Sequence, residues 1–205
     1  MTSNSAIVLP HNPELIIDAS LSEIIGTAGI AAVLELVRLT QVAAPKKSAQ
    51  IGNIFAIRPL ESALESIYGS QAGAGIAFRA GKVSFKYFLS MFGDKLGFSD
   101  INFRLLPMNR RKLEGLSRIS SEFRDTFGLQ TTIRDKEAFF FVEIRDCFEC
   151  AGETSAQPSC HFIAGFLQEF LAWIGGGRFY PVKESSCMAK GDKCCSFELS
   201  KQAVE

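Results

Sequence analysis

The hydrophobic pattern of this chain changes its period near Gly128, and this change constrains the fold more than any other feature. Before Gly128, apolar residues recur at helical spacing, as Leu116 and Ile119 do. After it, residues 131–134 and 138–144 have the pattern of strands. A helical N-terminal half is therefore followed by the order β-β-α-β-β, which predicts an α+β fold.

Glycine and capping residues mark the expected helix ends. Gly26 and Gly29 should break the apolar helical segment 21–39. Asn109 is the expected N-cap of a later helix, and Gly128 should end that helix. Further helices are expected at about 59–68, 70–92 and 158–174, and a terminal β-hairpin at 179–189 with 194–199.

The composition limits the classes of protein to which the chain can belong. Its 22 basic and 22 acidic residues give zero net charge, which removes the electrostatic argument for a nucleic-acid partner. The apolar share of 47% predicts a folded chain. We find no signal peptide and no uninterrupted apolar run of the roughly 20 residues that span a membrane, so we expect a cytoplasmic protein without a transmembrane segment. Residues 1–20 are predicted as an N-terminal arm and residues 21–205 as a single domain.

All six cysteines lie in one stretch, between Cys147 and Cys195. In a reducing compartment such a group binds metal more often than it forms disulfides. Strand alternation points the side chain of Cys195 into the protein and that of Cys194 outward. A three-residue turn would place Cys187 opposite Cys195, with Cβ atoms about 4.5–5.5 Å apart, close enough for two thiolates to share one zinc ion.

Other candidate ligands surround this pair. Cys160 lies at the start of a helix, whose N-terminal dipole favours a thiolate. Glu184 lies three residues before Cys187, so joint ligation requires a bulge or bend between them. Cys147 and Cys150 have the two-residue gap typical of a metal knuckle. The alternatives are plain packing of buried cysteines and thiol–disulfide chemistry at Cys147 and Cys150.

Phenylalanine dominates the aromatic residues, with 18 against one Trp and three Tyr. These side chains offer flat apolar surface without polar tips, which suits either a filled core or a pocket for an apolar ligand. The candidate pocket walls are Phe85, Phe88, Phe139, Phe141, Phe162 and Phe166.

The last third of the chain carries a spaced motif. The motif runs Pro158-Ser159-Cys160, then Gly165 and Leu167, then Glu184-x-x-Cys187-x-Ala189-x-Gly191-Asp192-x-x-Cys195-x-Phe197. It resembles the 4-vinyl reductase domain family, which includes a bacteriochlorophyll-synthesis accessory protein, archaeal proteins called hydrocarbon-binding, and sensor domains of phenol-responsive regulators. The motif-bearing part covers about residues 139–200.

The resemblance implies a fold, a partner and a cofactor. The fold is a two-layer α/β sandwich of the ligand-binding type found in NO signalling and Golgi transport, shared with subunits of the TRAPP vesicle-tethering complex. Its members are usually dimeric and have a buried cavity for a lipid or an aromatic molecule. The resemblance also implies a structural zinc ion. Cys147 and Cys150 are extra relative to the phenol sensors, which leaves the ligand set open, and the ligands implied by the family are Cys160, Glu184, Cys187 and Cys195.

Three functions follow as hypotheses. The first is a domain that binds a hydrophobic aromatic or tetrapyrrole-type molecule around a structural zinc site, as an accessory to chlorophyll or bacteriochlorophyll synthesis or to photosynthetic assembly. The second is a non-catalytic homodimeric adaptor that holds a protein partner. The third is 4-vinyl reduction, for which the sequence offers no nucleotide or flavin fingerprint, so we expect no catalysis.

Overall fold

The computed structural model describes residues 15–41 and 57–204, so most of the predicted arm lies outside the described residues. Helices come first and a four-stranded sheet follows, which confirms the predicted α+β class. The helices are α1 (Leu15–Gln41), α2 (Ile57–Tyr68), α3 (Ser70–Phe92), α4 (Ile101–Arg104), α5 (Met108–Phe127) and α6 (His161–Ile174). The strands are β1 (Gln130–Asp135), β2 (Phe139–Arg145), β3 (Val182–Ser186) and β4 (Cys195–Ser200).

Helix α1 is kinked at one of the two predicted glycines. Gly26 has φ 72° and ψ 171°, a conformation that glycine adopts without strain, so two helical segments meet there. Leu21 and Val33, one from each segment, are buried in an apolar cluster with residues of α2 and α3. By length and composition alone, Ile16–Thr40 is apolar enough to cross a membrane, but this is weak evidence because the core helix of a soluble protein passes the same test.

Two helix starts differ from the sequence prediction. Helix α5 begins directly after Pro107, whose carbonyl oxygen accepts the first helical hydrogen bond, from the Arg111 N–H, so Asn109 lies inside the first turn and is not the cap. Helix α6 begins after Cys160, because the Cys160 N–H donates to a carboxylate of β3 and the residues from Pro158 onward are not yet helical.

The sheet has the strand order β1-β2-β4-β3, and all neighbouring strands are antiparallel. Strands β3 and β4 form the predicted terminal hairpin, but β3 is shorter than expected, because residues 188–190 turn into a short 3-10 helix. The register shifts between Glu184 and Ser186, which is the bulge that joint ligation by Glu184 and Cys187 requires.

Helices α3 and α6 pack so closely that their backbones touch. A Cβ at Gly81 would collide with the carbonyl oxygen of Phe162, and a Cβ at Gly165 would collide with that of Phe78. The core joins α3, α5 and α6 to the inward face of the sheet, where Phe197 of β4 is fully buried. The glycine contact therefore fixes the position of α6, along which the candidate site lies.

Candidate metal centre and apolar cavity

Five of the six cysteines form one buried group, the cysteine cluster, at the N-terminal end of α6. Cys194 is the sixth cysteine and is half-buried, whereas Cys195 beside it is fully buried, as strand alternation predicts. The cluster consists of Cys147, Cys150, Cys160, Cys187 and Cys195.

The sulfur atoms of the cluster are spaced as metal ligands are. The Sγ atom of Cys160 lies 3.6 Å from that of Cys147 and 3.6 Å from that of Cys195. It lies 3.9 Å from the Sγ atom of Cys187, and the Sγ atoms of Cys150 and Cys195 are 3.3 Å apart. A tetrahedral zinc ion with Zn–S bonds of about 2.3 Å sets its sulfurs about 3.8 Å apart. The cluster therefore fits zinc with sulfur shifts of about half an ångström or less.

Two sets of four donors meet this geometry, and they share Cys160 and Cys195. Within each set, all donor atoms lie within 4.8 Å of one another. The structure thus brings together all six candidate ligands. The first set is Cys160, Glu184, Cys187 and Cys195, as the family resemblance implies, and the second is Cys147, Cys150, Cys160 and Cys195.

Polar contacts hold the ligands in place. Glu184 Oε2 accepts a hydrogen bond of 2.9 Å from the Cys160 N–H. Glu184 Oε1 is buried and has no hydrogen-bond partner among the described residues, so it is available to a cation. Asp192 Oδ2 accepts from the Cys187 N–H at 2.8 Å, and the Met188 N–H donates to Cys195 Sγ at 3.4 Å. Sequence reasoning assigned no role to Asp192, although its place in the hairpin turn of the motif was a usable signal.

The thiols of the cluster change one another's ionisation. Hydrogen bonding with the Cys147 and Cys150 thiols raises the pKa of Cys160 and of Cys195. Burial raises the pKa of Cys187 to about 12, whereas hydrogen bonds from neighbouring thiols lower the pKa of Cys150. Most of the cluster is therefore protonated without a cation, and binding a metal ion must displace these protons.

The knuckle between Cys147 and Cys150 reaches beyond the cluster. The Glu149 carboxylate accepts hydrogen bonds from the Phe162 N–H at 2.6 Å and the Ile163 N–H at 2.9 Å. It therefore caps α6, a role that the Cys160 side chain does not perform. Sequence reasoning missed Glu149, and the available signal was an acidic residue inside a Cys-x-x-Cys knuckle.

A second buried carboxyl group, Glu61 of α2, lies beside Glu149. Burial, and then the charge of Glu149, raise the pKa of Glu61 well above its usual value, and Arg58 at 3.8 Å offsets only part of this. Burial also raises the pKa of Glu149. Because two N–H groups stabilise the Glu149 carboxylate, Glu61 is the member of the pair that holds a proton.

An apolar cavity of about 90 Å³ lies along α6, next to the cluster. The polar atoms of its wall are hydroxyls that bond to protein. Ser84 donates to Ser20 at 2.8 Å, Ser20 donates to a backbone carbonyl, and the Ser120 and Thr131 hydroxyls bond to each other. The apolar wall includes Ile17, Ile57, Phe88, Leu116, Ile119, Phe123, Ile133, Val142, Ile144, Phe148, Phe162, Ile163, Phe166 and Leu167.

The structure places three of the six candidate pocket phenylalanines at this cavity, and they are Phe88, Phe162 and Phe166. Phe85 lies elsewhere, packed edge-on against Phe166 and Phe170. Phe139 and Phe141 do not reach the cavity, because the alternation of β2 turns Val142 and Ile144 toward it and sends the side chains of Phe139 and Phe141 to the other face of the sheet.

Comparison with known families identifies the segment that carries the motif. Residues 140–201 match the 4-vinyl reductase domain family. An uncharacterized protein of Methanocaldococcus jannaschii is 36% identical over 59 residues, which are 28% of this chain and 36% of that protein. The match thus spans about a third of the curated relative's length.

Solved structures share the fold over more of the chain. The phenol-responsive sensory domain of the transcription activator PoxR superposes with a TM-score of 0.51 at 14% identity and covers 71% of this chain and 73% of its own. An H-NOX protein from S. oneidensis superposes with a TM-score of 0.55 at 14% identity and covers 93% of this chain and 96% of its own. These likenesses show the fold, and the resemblance drawn from the motif is confirmed: residues 140–201 are those of a 4-vinyl reductase domain, set in a fold like those of the PoxR sensory domain and H-NOX proteins.

Proposed function

We propose that this protein binds a small apolar molecule, about the size of a single ring, in the cavity along α6. We also propose that a structural zinc ion at the cysteine cluster holds the cavity wall in place. One observation carries both statements: the cluster and the cavity share their segments. Phe148, between Cys147 and Cys150, lines the cavity, and so do Phe162 and Ile163, which follow Cys160. The family match and the ligand-sensing structural neighbours support small-molecule binding.

The size of the cavity favours a small ligand. Its volume of about 90 Å³ is closer to the roughly 150 Å³ of an engineered apolar cavity that takes benzene than to the roughly 300–1,000 Å³ of sites for drug-sized molecules. The PoxR sensory domain was crystallised with phenol, and a ring of this size suits the present cavity better than a tetrapyrrole does. A tetrapyrrole would require the cavity to open several-fold.

The polarity of the wall favours an apolar ligand. The hydroxyls of Ser120 and Thr131 bond to each other, so neither needs a ligand to satisfy it. Ser84 donates its proton to Ser20, and its oxygen can still accept a hydrogen bond from a ligand hydroxyl. A hydrocarbon ring, with at most one hydroxyl group, therefore satisfies the cavity.

The chemistry of the cluster favours zinc. Thiolate ligands in a closed tetrahedral site are typical of structural zinc, and the cluster supplies buried sulfurs at that spacing. The proposed first set is Cys160, Glu184, Cys187 and Cys195, which ties the start of α6 to the β3–β4 hairpin. Four protein ligands leave zinc no open position, so a structural role fits better than 4-vinyl reduction.

The test is calorimetric titration of the full zinc-loaded chain with phenol and with benzene. Val142→Phe places a ring inside the cavity and is expected to weaken binding of both by at least about tenfold. Phe141→Leu changes the neighbouring residue on the opposite face of β2 and should leave the affinity unchanged. Equal affinity in Val142→Phe and the wild type would contradict binding in this cavity.

The homodimeric adaptor remains a separate hypothesis with its own measurement. Sedimentation equilibrium of the full chain with and without phenol reports both the dimer and any dependence of assembly on the ligand. A monomer at all concentrations would contradict the dimer and leave ligand binding unaffected.

A further inference from the structure

We infer that the cysteine cluster holds two zinc ions that share the thiolates of Cys160 and Cys195. The inference rests on the proposed zinc site and adds a second ion to the single one that the family resemblance implies. It starts from the observation that six donors form two overlapping sets of four.

The geometry is that of two tetrahedra with a common edge. The edge is the pair of sulfurs of Cys160 and Cys195, 3.6 Å apart. On one side, Cys147 lies 3.6 Å from Cys160 and Cys150 lies 3.3 Å from Cys195, which completes four sulfurs. On the other side, Cys187 lies 3.9 Å from Cys160, and a carboxylate oxygen of Glu184 is the fourth donor.

The number of donors matches two ions and exceeds the need of one. Each zinc ion takes four ligands, and six donors with two shared supply four to each. A single ion in the first set would leave Cys147 and Cys150 as buried thiols within 3.6 Å of bound thiolates. A single ion in the second set would leave the Cys187 thiol and the buried, unpartnered Glu184 Oε1 without a cation.

The charge of the two-ion centre is no greater than that of a common one-ion site. Five thiolates and one carboxylate carry six negative charges and two Zn²⁺ ions carry four positive charges, so two negative charges remain, as around one zinc ion with four thiolates. The N-terminus of α6 and the Met188 N–H face this charge. Full loading converts five thiols to thiolates and releases five protons to solvent, with no change of oxidation state.

Native mass spectrometry of the full chain, purified with reductant and excess Zn²⁺, counts the ions. The wild type is expected to hold two zinc ions, and the double variant Cys147→Ser with Cys150→Ser is expected to hold one. Cys194→Ser is the matched control, because it removes the half-buried cysteine that points away from the cluster, and it should hold two.

A second measurement needs no variant. Two Co²⁺ ions joined by sulfur bridges couple their spins, so the electron paramagnetic resonance signal of wild-type protein with two Co²⁺ should fall well below twice that of protein with one. Independent spins would overturn the shared thiolates.

The outcomes separate this inference from the proposed function. One zinc ion in the wild type, retained by the Cys147→Ser, Cys150→Ser variant, overturns the second ion and leaves the proposed structural site intact. No zinc in the reduced wild type overturns both the second ion and the proposed structural zinc.

Discussion

The cysteine cluster and the apolar cavity lie side by side along α6, and they are opposites in packing and chemistry. The cluster brings sulfur atoms to within 3.3–3.9 Å and leaves room only for ions. The cavity encloses about 90 Å³, and its few hydroxyls bond to protein. Donors without space select a cation, whereas space without free donors selects an apolar molecule. Neighbouring segments of one fold thus support two different kinds of binding.

The largest expected effect comes from the helix contact on which both sites depend. Gly165→Ala places a methyl group against the Phe78 carbonyl oxygen and must separate α3 from α6. We expect it to lower the free energy of unfolding by about 3 kcal/mol or more, measured by urea denaturation, and to weaken zinc and phenol binding together.

Gly75→Ala is the matched control for this substitution. Gly75 lies on α3 with nothing near its would-be Cβ, so alanine should raise the stability by about 0.5–1 kcal/mol through helix propensity. If Gly165→Ala were as stable as Gly75→Ala, the close α3–α6 contact would not exist.

An intermediate effect is expected where the cluster meets the cavity. Phe148→Ala removes a cavity wall and leaves the flanking Cys147 and Cys150 in place. We expect a loss of about 1–3 kcal/mol in stability, an unchanged zinc content and a shift of affinity from phenol toward naphthalene, because the cavity grows. Native mass spectrometry and calorimetry measure these quantities. Loss of zinc together with the ring would show that the two sites are one unit.

The smallest effect concerns the link between α2 and the knuckle. The pKa of Glu61 is raised in the folded state, so its favourable contribution is complete below the unfolded value of about 4.5 and is lost as the pH rises through the folded value. Glu61→Gln cannot ionise and should escape this loss, gaining about 1–2 kcal/mol relative to wild type between about pH 5 and pH 8. Urea denaturation of the zinc-loaded protein at both pH values measures the difference, and parallel pH profiles would argue against a protonated Glu61.

Local signals predicted much of the fold. The break at Gly26 and the end of α5 at Gly128 follow from backbone freedom that glycine alone supplies without strain, and both are found. The opposite orientation of Cys194 and Cys195 follows from strand alternation and is also found. The start of α6 was misjudged, because it depends on a hydrogen bond from Cys160 to Glu184, 24 residues away.

The sequence by itself determined the order of helices and strands, the inward side of β4 and the identity of six candidate metal donors, because periodicity and spacing are local properties. Only the tertiary structure decided which phenylalanines border a cavity, since a run such as Phe139 to Phe141 does not show which side of the sheet will be covered. It alone also joined Cys147 and Cys150 to Cys160 and Cys195 and set Glu149 on α6. Those contacts join residues distant in the chain, and they form only where α3 and α6 meet glycine against backbone and the hairpin closes over them.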